Sequence, residues 1–202
     1  TRSPLANPYG WANQDVSVNY TCNDGLSGVL TCPAPMLFSS EGLNNSTSAI
    51  VYDYAGNTSQ ATMNGISIDK TKPNTVATLP GGLVNGWYNT GISIPLISTD
   101  TLSGVLLTNY RLLRGGIVVS SGLYASPITA SADGQYSLYY FATDKAGNIE
   151  VEKITAFKID RTRPVISISS PAAGQIFIAT RGNIPVVYDV SDNFDAAPAV
   201  EA

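Results

Sequence analysis

Asp24-Gly25-Leu26-Ser27-Gly28-Val29-Leu30 recurs as Asp100-Thr101-Leu102-Ser103-Gly104-Val105-Leu106. Taken as one motif written twice, the pair decides the architecture, because repetition on this scale marks consecutive copies of one folding unit. Gly10-Trp11 recurs as Gly86-Trp87 at the same offset. Downstream, Asp53-Tyr54-Ala55-Gly56-Asn57 returns as Asp144-Lys145-Ala146-Gly147-Asn148, and Ile68-Asp69-Lys70-Thr71-Lys72-Pro73 as Ile159-Asp160-Arg161-Thr162-Arg163-Pro164, both at a longer offset. The second copy therefore carries about fifteen extra residues in its middle, placed near Arg111 to Ser126. A third copy opens after Pro164, with Ile184-Pro185-Val186 leading to Ser191-Asp192 much as Ile92 to Leu96 leads to Thr99-Asp100. The units expected are 1–72, 73–163 with an inserted hairpin, and a partial unit over 164–202.

Each copy reads as short strands separated by turns, with Val16 to Tyr20 alternating at the two-residue period of a half-buried strand. Val16 to Tyr20, Ser48 to Tyr52 and Ala61 to Ile68 read as strands in the first; Gly91 to Ile97, Gln135 to Ala142 and Glu150 to Ile159 match them in the second. Breakers separate them: Asp24-Gly25, Ser40-Glu41-Gly42, Gly115-Gly116, Asp133-Gly134 and the two Ala-Gly-Asn turns. No stretch shows helical spacing between caps. The class expected is all-β, as tandem immunoglobulin-like β-sandwich domains, with the extra residues forming a hairpin at a sheet edge.

Composition narrows the function. With 11 Lys and Arg against 15 Asp and Glu, a net charge of -4 gives no electrostatic hold on nucleic acid or an anionic membrane. The absence of histidine removes Ser-His-Asp and Cys-His catalysis and imidazole metal sites. Neither a Gly-x-Ser-x-Gly elbow nor a phosphate loop is present. No apolar run is long enough for a membrane helix. The start at Thr1-Arg2-Ser3-Pro4, without an apolar leader, reads as part of something longer.

Taken as a set, Gly-Trp, Asp-x-x-Ser-Gly-Val, Asp-x-Ala-Gly-Asn and Ile-Asp-(Lys/Arg)-Thr-x-Pro resemble the tandem bacterial Ig-like repeats of large surface and secreted proteins, of the OmpL47 type. The resemblance covers both complete copies and implies the sandwich fold and an extracellular or cell-surface setting; it fixes no activity. The third segment departs from it, lacking Gly-Trp.

Three constellations stand out. Cys22 and Cys32, the two cysteines of the chain, are replaced together in the second copy by Ser98 and Thr108. Loss as a pair points to a disulfide in an oxidising compartment, against the alternative of two buried thiols. The Asp-x-Ala-Gly-Asn segments are explained by turn chemistry alone. Sandwich topology adds a second reading, because the last strand of one copy delivers its linker to the N-terminal end of the next. Asp69 is thereby brought towards Asp100, Asp144 and Asn148, and Asp160 towards Asp192. Such an oxygen-rich set suits Ca²⁺ at interdomain joints, with Lys70 or Lys145 as the alternative neutralising charge. Trp11, Trp87 and Tyr88 form either a sugar-stacking platform or closures of their own sandwiches.

The function expected is a non-catalytic extracellular spacer or stalk that presents other domains of the same polypeptide. A carbohydrate-binding or adhesive accessory module, with a glycan or a cell-surface receptor as partner, is the alternative. The inserted Arg111 to Ser126 segment is its candidate receptor patch.

Overall fold

The computed structural model describes residues 1–176 and 186–194. All regular structure within them is β. In the first copy the strands are β1 (Arg2–Ser3), β2 (Trp11–Ala12), β3 (Val16–Val18), β4 (Val29–Thr31), β5 (Met36–Phe38), β6 (Gly42–Asp53) and β7 (Thr58–Ile68). One sheet runs β1-β3-β5 and the other β2-β7-β6-β4. Val16 and Val18, two apart on β3, face the same way and meet Ile66 and Ile68 of β7 and Ala12 of β2 in a closed core. The short strand β2 joins β7 in parallel, Trp11 opposite Ser67 and Ala12 opposite Ile68.

The second copy comprises β8 (Asn74–Ala77), β9 (Ile92–Ile94), β10 (Leu96–Thr99), β11 (Val105–Arg114), β12 (Ile117–Leu123), β13 (Ile128–Ala130), β14 (Gly134–Asp144) and β15 (Lys153–Ile159). Pro95, which has no N–H to give a ladder, separates β9 from β10. The pairs β8-β10 and β9-β13 lie on one side, facing the sheet β12-β11-β14-β15. Along β14, Tyr136, Leu138, Tyr140 and Ala142 are buried while Ser137, Tyr139 and Phe141 on the other face are half-buried. The buried set packs with Ile92, Ile94, Leu112, Phe157 and Ile159 in a second core that shares no residue with the first. Its hairpin β11-β12 turns at Gly115-Gly116, where φ values of 58° and 82° demand glycine, and leaves β12 at the sheet edge.

These are tandem immunoglobulin-like β-sandwiches. After them, β16 (Val165–Ser170) pairs antiparallel with β17 (Val187–Ser191). Ile184 and Pro185, expected to begin the matching motif of a third copy, lie outside the described residues. Among the described residues no helix is long and apolar enough to cross a membrane.

Candidate functional site

Asp69 follows Ile68, the last core residue of the first sandwich, and continues its ladder by donating its N–H to Ala12 O at 2.9 Å. Its side chain points into the second sandwich. Oδ1 accepts Thr71 N–H at 3.1 Å, while Oδ2 accepts Ser103 N–H at 2.9 Å, across the joint. Asp69 is 0% exposed, so a carboxylate carried by one unit is enclosed by the next.

Two loops of the second sandwich complete the enclosure. Between β10 and β11, Asp100 Oδ1 accepts Leu102 N–H at 3.2 Å and Gly104 N–H at 2.7 Å, the local bonding expected of Asp at the head of a turn. Between β14 and β15, Asp144 Oδ1 accepts Gly147 and Asn148 N–H at 2.7 and 2.8 Å. Gly147 supplies the φ of 96° that lets the chain turn back. Asn148 then serves both sides of the joint. Its Nδ2 donates to Asp144 Oδ2 at 2.7 Å, to Asp69 O at 2.9 Å and to Thr71 O at 3.2 Å.

One carboxylate oxygen from each of Asp69, Asp100 and Asp144 lies within 4.8 Å of one from both others. At that distance, with an effective dielectric constant of about 20, each ionised pair repels by roughly 3 kcal/mol. Neither expected lysine forms an ion pair with the three acids, although Lys145 Nζ lies beside Gly104. Lys70 Nζ instead binds Asp15 at 2.7 Å and Ser39 O. Lys145 is engaged through its backbone, donating N–H to Gly104 O and accepting Asn7 Nδ2 from the first sandwich. Among the described residues no Lys or Arg forms an ion pair with any member of the triad.

The second expected pair, Asp160 and Asp192, lines one pocket with Trp87 and Phe194. Asp160 repeats the backbone of Asp69, donating N–H to Tyr88 O and accepting Thr162 N–H, and Asp192 accepts Phe194 N–H. No third carboxylate joins them among the described residues. Of the sugar-stacking set, Trp11 and Tyr88 are buried and Trp87 is not. Trp11 is 8% exposed and Tyr88 2%, the latter donating its hydroxyl to Pro80 O, so neither offers a ring face to solvent. Trp87 is half-buried, with Phe194 at 5.0 Å and Lys158 Nζ at 5.2 Å from its ring. Cys22 and Cys32 are bonded, Cα to Cα 5.8 Å, with Cys32 exposed.

Three acids that the sequence reading passed over also build the joints. Glu41 accepts Lys70 N–H and Thr71 Oγ1, and Asp133 accepts Arg161 N–H and Thr162 Oγ1. Each therefore grips the Lys/Arg-Thr of the linker that leaves its own sandwich. The signal was an acid-Gly pair, Glu41-Gly42 and Asp133-Gly134, repeated ahead of a long strand. Those donors hold the Asp133 carboxyl below the usual range, the Thr162 hydroxyl foremost. Glu150 is buried and accepts Thr75 N–H at 2.8 Å and Ala142 N–H at 3.1 Å, with Lys153 Nζ at 2.6 Å. Burial pushes its carboxyl up, but the bonds from Lys153, Thr75 and Ala142 outweigh that and leave it lowered.

No family model matches the chain, and no curated protein matches it. Among solved structures it is similar to the fibronectin(III)-like modules of Clostridium thermocellum CbhA, at 15% identity over 78% of this chain and 91% of that one, with a TM-score of 0.34.

Proposed function

We propose that the chain is a non-catalytic spacer module of an extracellular or cell-surface protein, in which consecutive sandwiches hold other parts of the polypeptide at a set distance and orientation. The observation that carries this reading is the construction of the first joint. A linker meant only as a tether would be exposed and solvated. Here Asp69 is enclosed by the second sandwich, Asn148 reaches back to two carbonyls of the linker, and Glu150 takes Thr75 N–H where β8 begins. Pro73 removes a donor and restricts φ between these anchors. The Cys22–Cys32 bond suits an oxidising compartment. Nuclear spin relaxation tests the reading: amides of both sandwiches are expected to report one anisotropic rotational diffusion tensor. Two independent correlation times would overturn it.

Adhesion is the second reading, and the hairpin favours it. Ile117 and Leu123 of edge strand β12 are exposed, as are Val118 and Val119, and an uncovered apolar edge is a surface on which a partner strand can pair. Replacing 111–126 by a tight turn is expected to abolish attachment of coated beads to cells if the hairpin is the receptor patch. Undiminished attachment would leave spacing as the function.

A further inference from the structure

We infer that the first joint is a binding site for a divalent oxygen-seeking cation, Ca²⁺ by preference, held by the carboxylates of Asp69, Asp100 and Asp144. The inference deepens the spacer reading and rests on the joint being assembled as described. Beyond the clustering of acids, a second observation points to a ligand. Among the described residues the one buried side-chain oxygen or nitrogen without a hydrogen-bond partner is Asp100 Oδ2. The oxygens around it are otherwise engaged: Asp69 with Thr71 and Ser103, Asp144 with Gly147 and Asn148, Asp100 Oδ1 with Leu102 and Gly104. Buried polar atoms are almost always paired, so an orphan at the meeting point of three acids marks a missing partner.

The partner must carry positive charge and accept several oxygen ligands at once. No Lys or Arg among the described residues comes within ion-pair distance of the three acids, and a water molecule leaves the mutual repulsion in place. A hard cation answers both needs, since each carboxylate oxygen that accepts one N–H keeps a lone pair for the metal. Ca²⁺ fits better than Mg²⁺ because the donors come from three separate chain segments, the linker, the β10–β11 loop and the β14–β15 turn, and irregular oxygen shells are the ones Ca²⁺ tolerates.

The first sandwich supplies an internal control. Asp24 and Asp53 occupy the equivalent two loops, with Asn57 donating to Asp53, but no carboxylate from another unit joins them among the described residues. The experiment is titration calorimetry of the full chain with CaCl₂, repeated on Asp100→Asn and Asp53→Asn, alongside thermal melting in Ca²⁺ and in chelator. Asp100→Asn keeps an acceptor for Leu102 and Gly104 and removes the charge. Expected for the natural sequence is one site with a dissociation constant on the order of 0.1–1 mM, the range of extracellular calcium modules. Melting is expected to rise by a few degrees at saturation. Asp100→Asn should weaken binding about tenfold or more through loss of ligand charge, and Asp53→Asn should leave it unchanged. The proposal is overturned if the natural chain shows neither heat nor a melting shift up to ~10 mM Ca²⁺, or if Asp53→Asn abolishes binding while Asp100→Asn does not. Spin relaxation of the metal-free chain separates the two readings. One tumbling body without Ca²⁺ binding keeps the spacer and removes the cation; binding with two tumbling bodies does the reverse.

Discussion

The first and second sandwiches are built from one motif set and secure the same positions differently. Where the first places the Cys22–Cys32 bond, the second has Ser98 Oγ 2.7 Å from Thr108 Oγ1 and 2.8 Å from Thr75 Oγ1, a hydrogen-bonded relay that recruits strand β8. In the first sandwich that edge is an open cleft of about 320 Å³ lined by Thr1, Tyr20, Cys22, Ala49 and Ala61. The cores differ as well, five buried apolar residues in the first and twelve in the second. A sandwich with less burial leans on a covalent staple, and one with a fuller core and a covered edge holds the same place with hydroxyls. The acids repeat the lesson. Asp24 and Asp53 are both half-buried and meet no carboxylate from another unit among the described residues, whereas in the second sandwich Asp144 is fully buried and stands with half-buried Asp100 beside Asp69.

The comparison breaks most visibly at the cores. Leu138→Ala, at a site with no exposure, is expected to destabilise the second sandwich by about 3 kcal/mol. Calorimetry should then show its transition falling while that of the first sandwich stays; movement of both together would mean a single cooperative unit. Reduction comes next. Because Cys32 is exposed, dithiothreitol without denaturant should open the bond and lower the stability of the first sandwich alone by about 2.7 kcal/mol.

A smaller contrast sharpens the turn comparison. Asn148→Ala removes a buried amide that grips Asp69, Thr71 and Asp144, and should cost about 2 kcal/mol and loosen the joint in scattering. Asn57→Ala, at the exposed equivalent, should cost about 0.5 kcal/mol with no change in length. Equal costs would show that the joint adds nothing to the turn.

Acid gives the smallest and most local effect. Glu150 has a lowered carboxyl in the fold, so its stabilisation is complete above the ordinary glutamate range near pH ~4.3. It is lost as pH falls through the depressed folded value. Asp24 and Asp53 are lowered too, by Gly28 N–H and by the Asn57 side chain, but both are solvent-screened. Melting of the second sandwich should therefore fall more steeply with acid than that of the first. Glu150→Gln should flatten that slope; an unchanged slope would assign it to other acids.

Much of this was legible in the chain. Period-two alternation located β3 and β14, and paired loss of Cys22 and Cys32 pointed to their bond, because strand faces and covalent pairs leave local or correlated marks. The meeting of Asp69 with Asp100 and Asp144 followed from topology. Less was visible where a residue's partner is chosen by three-dimensional approach. Glu150 shows no motif, and its role appears only when β8 brings Thr75 to it. Trp11 and Trp87 occupy one repeat position, yet the first is buried and the second is half-buried and flanked by Phe194. Asp160 and Asp192, paired by the same topology, line one pocket.

Ile68 belongs to one core, Asp69 to the joint and Thr75 to the next sandwich's edge, so the connecting segment has no slack. Inserting a single residue between them would turn the carboxylate outward or pull Thr75 off Ser98. Ordinary interdomain linkers absorb such insertions. When genes for modules of this kind are cut and rejoined, the breakpoint must spare this segment, and the unit that can be shuffled intact takes its closing aspartate along with the body that follows it.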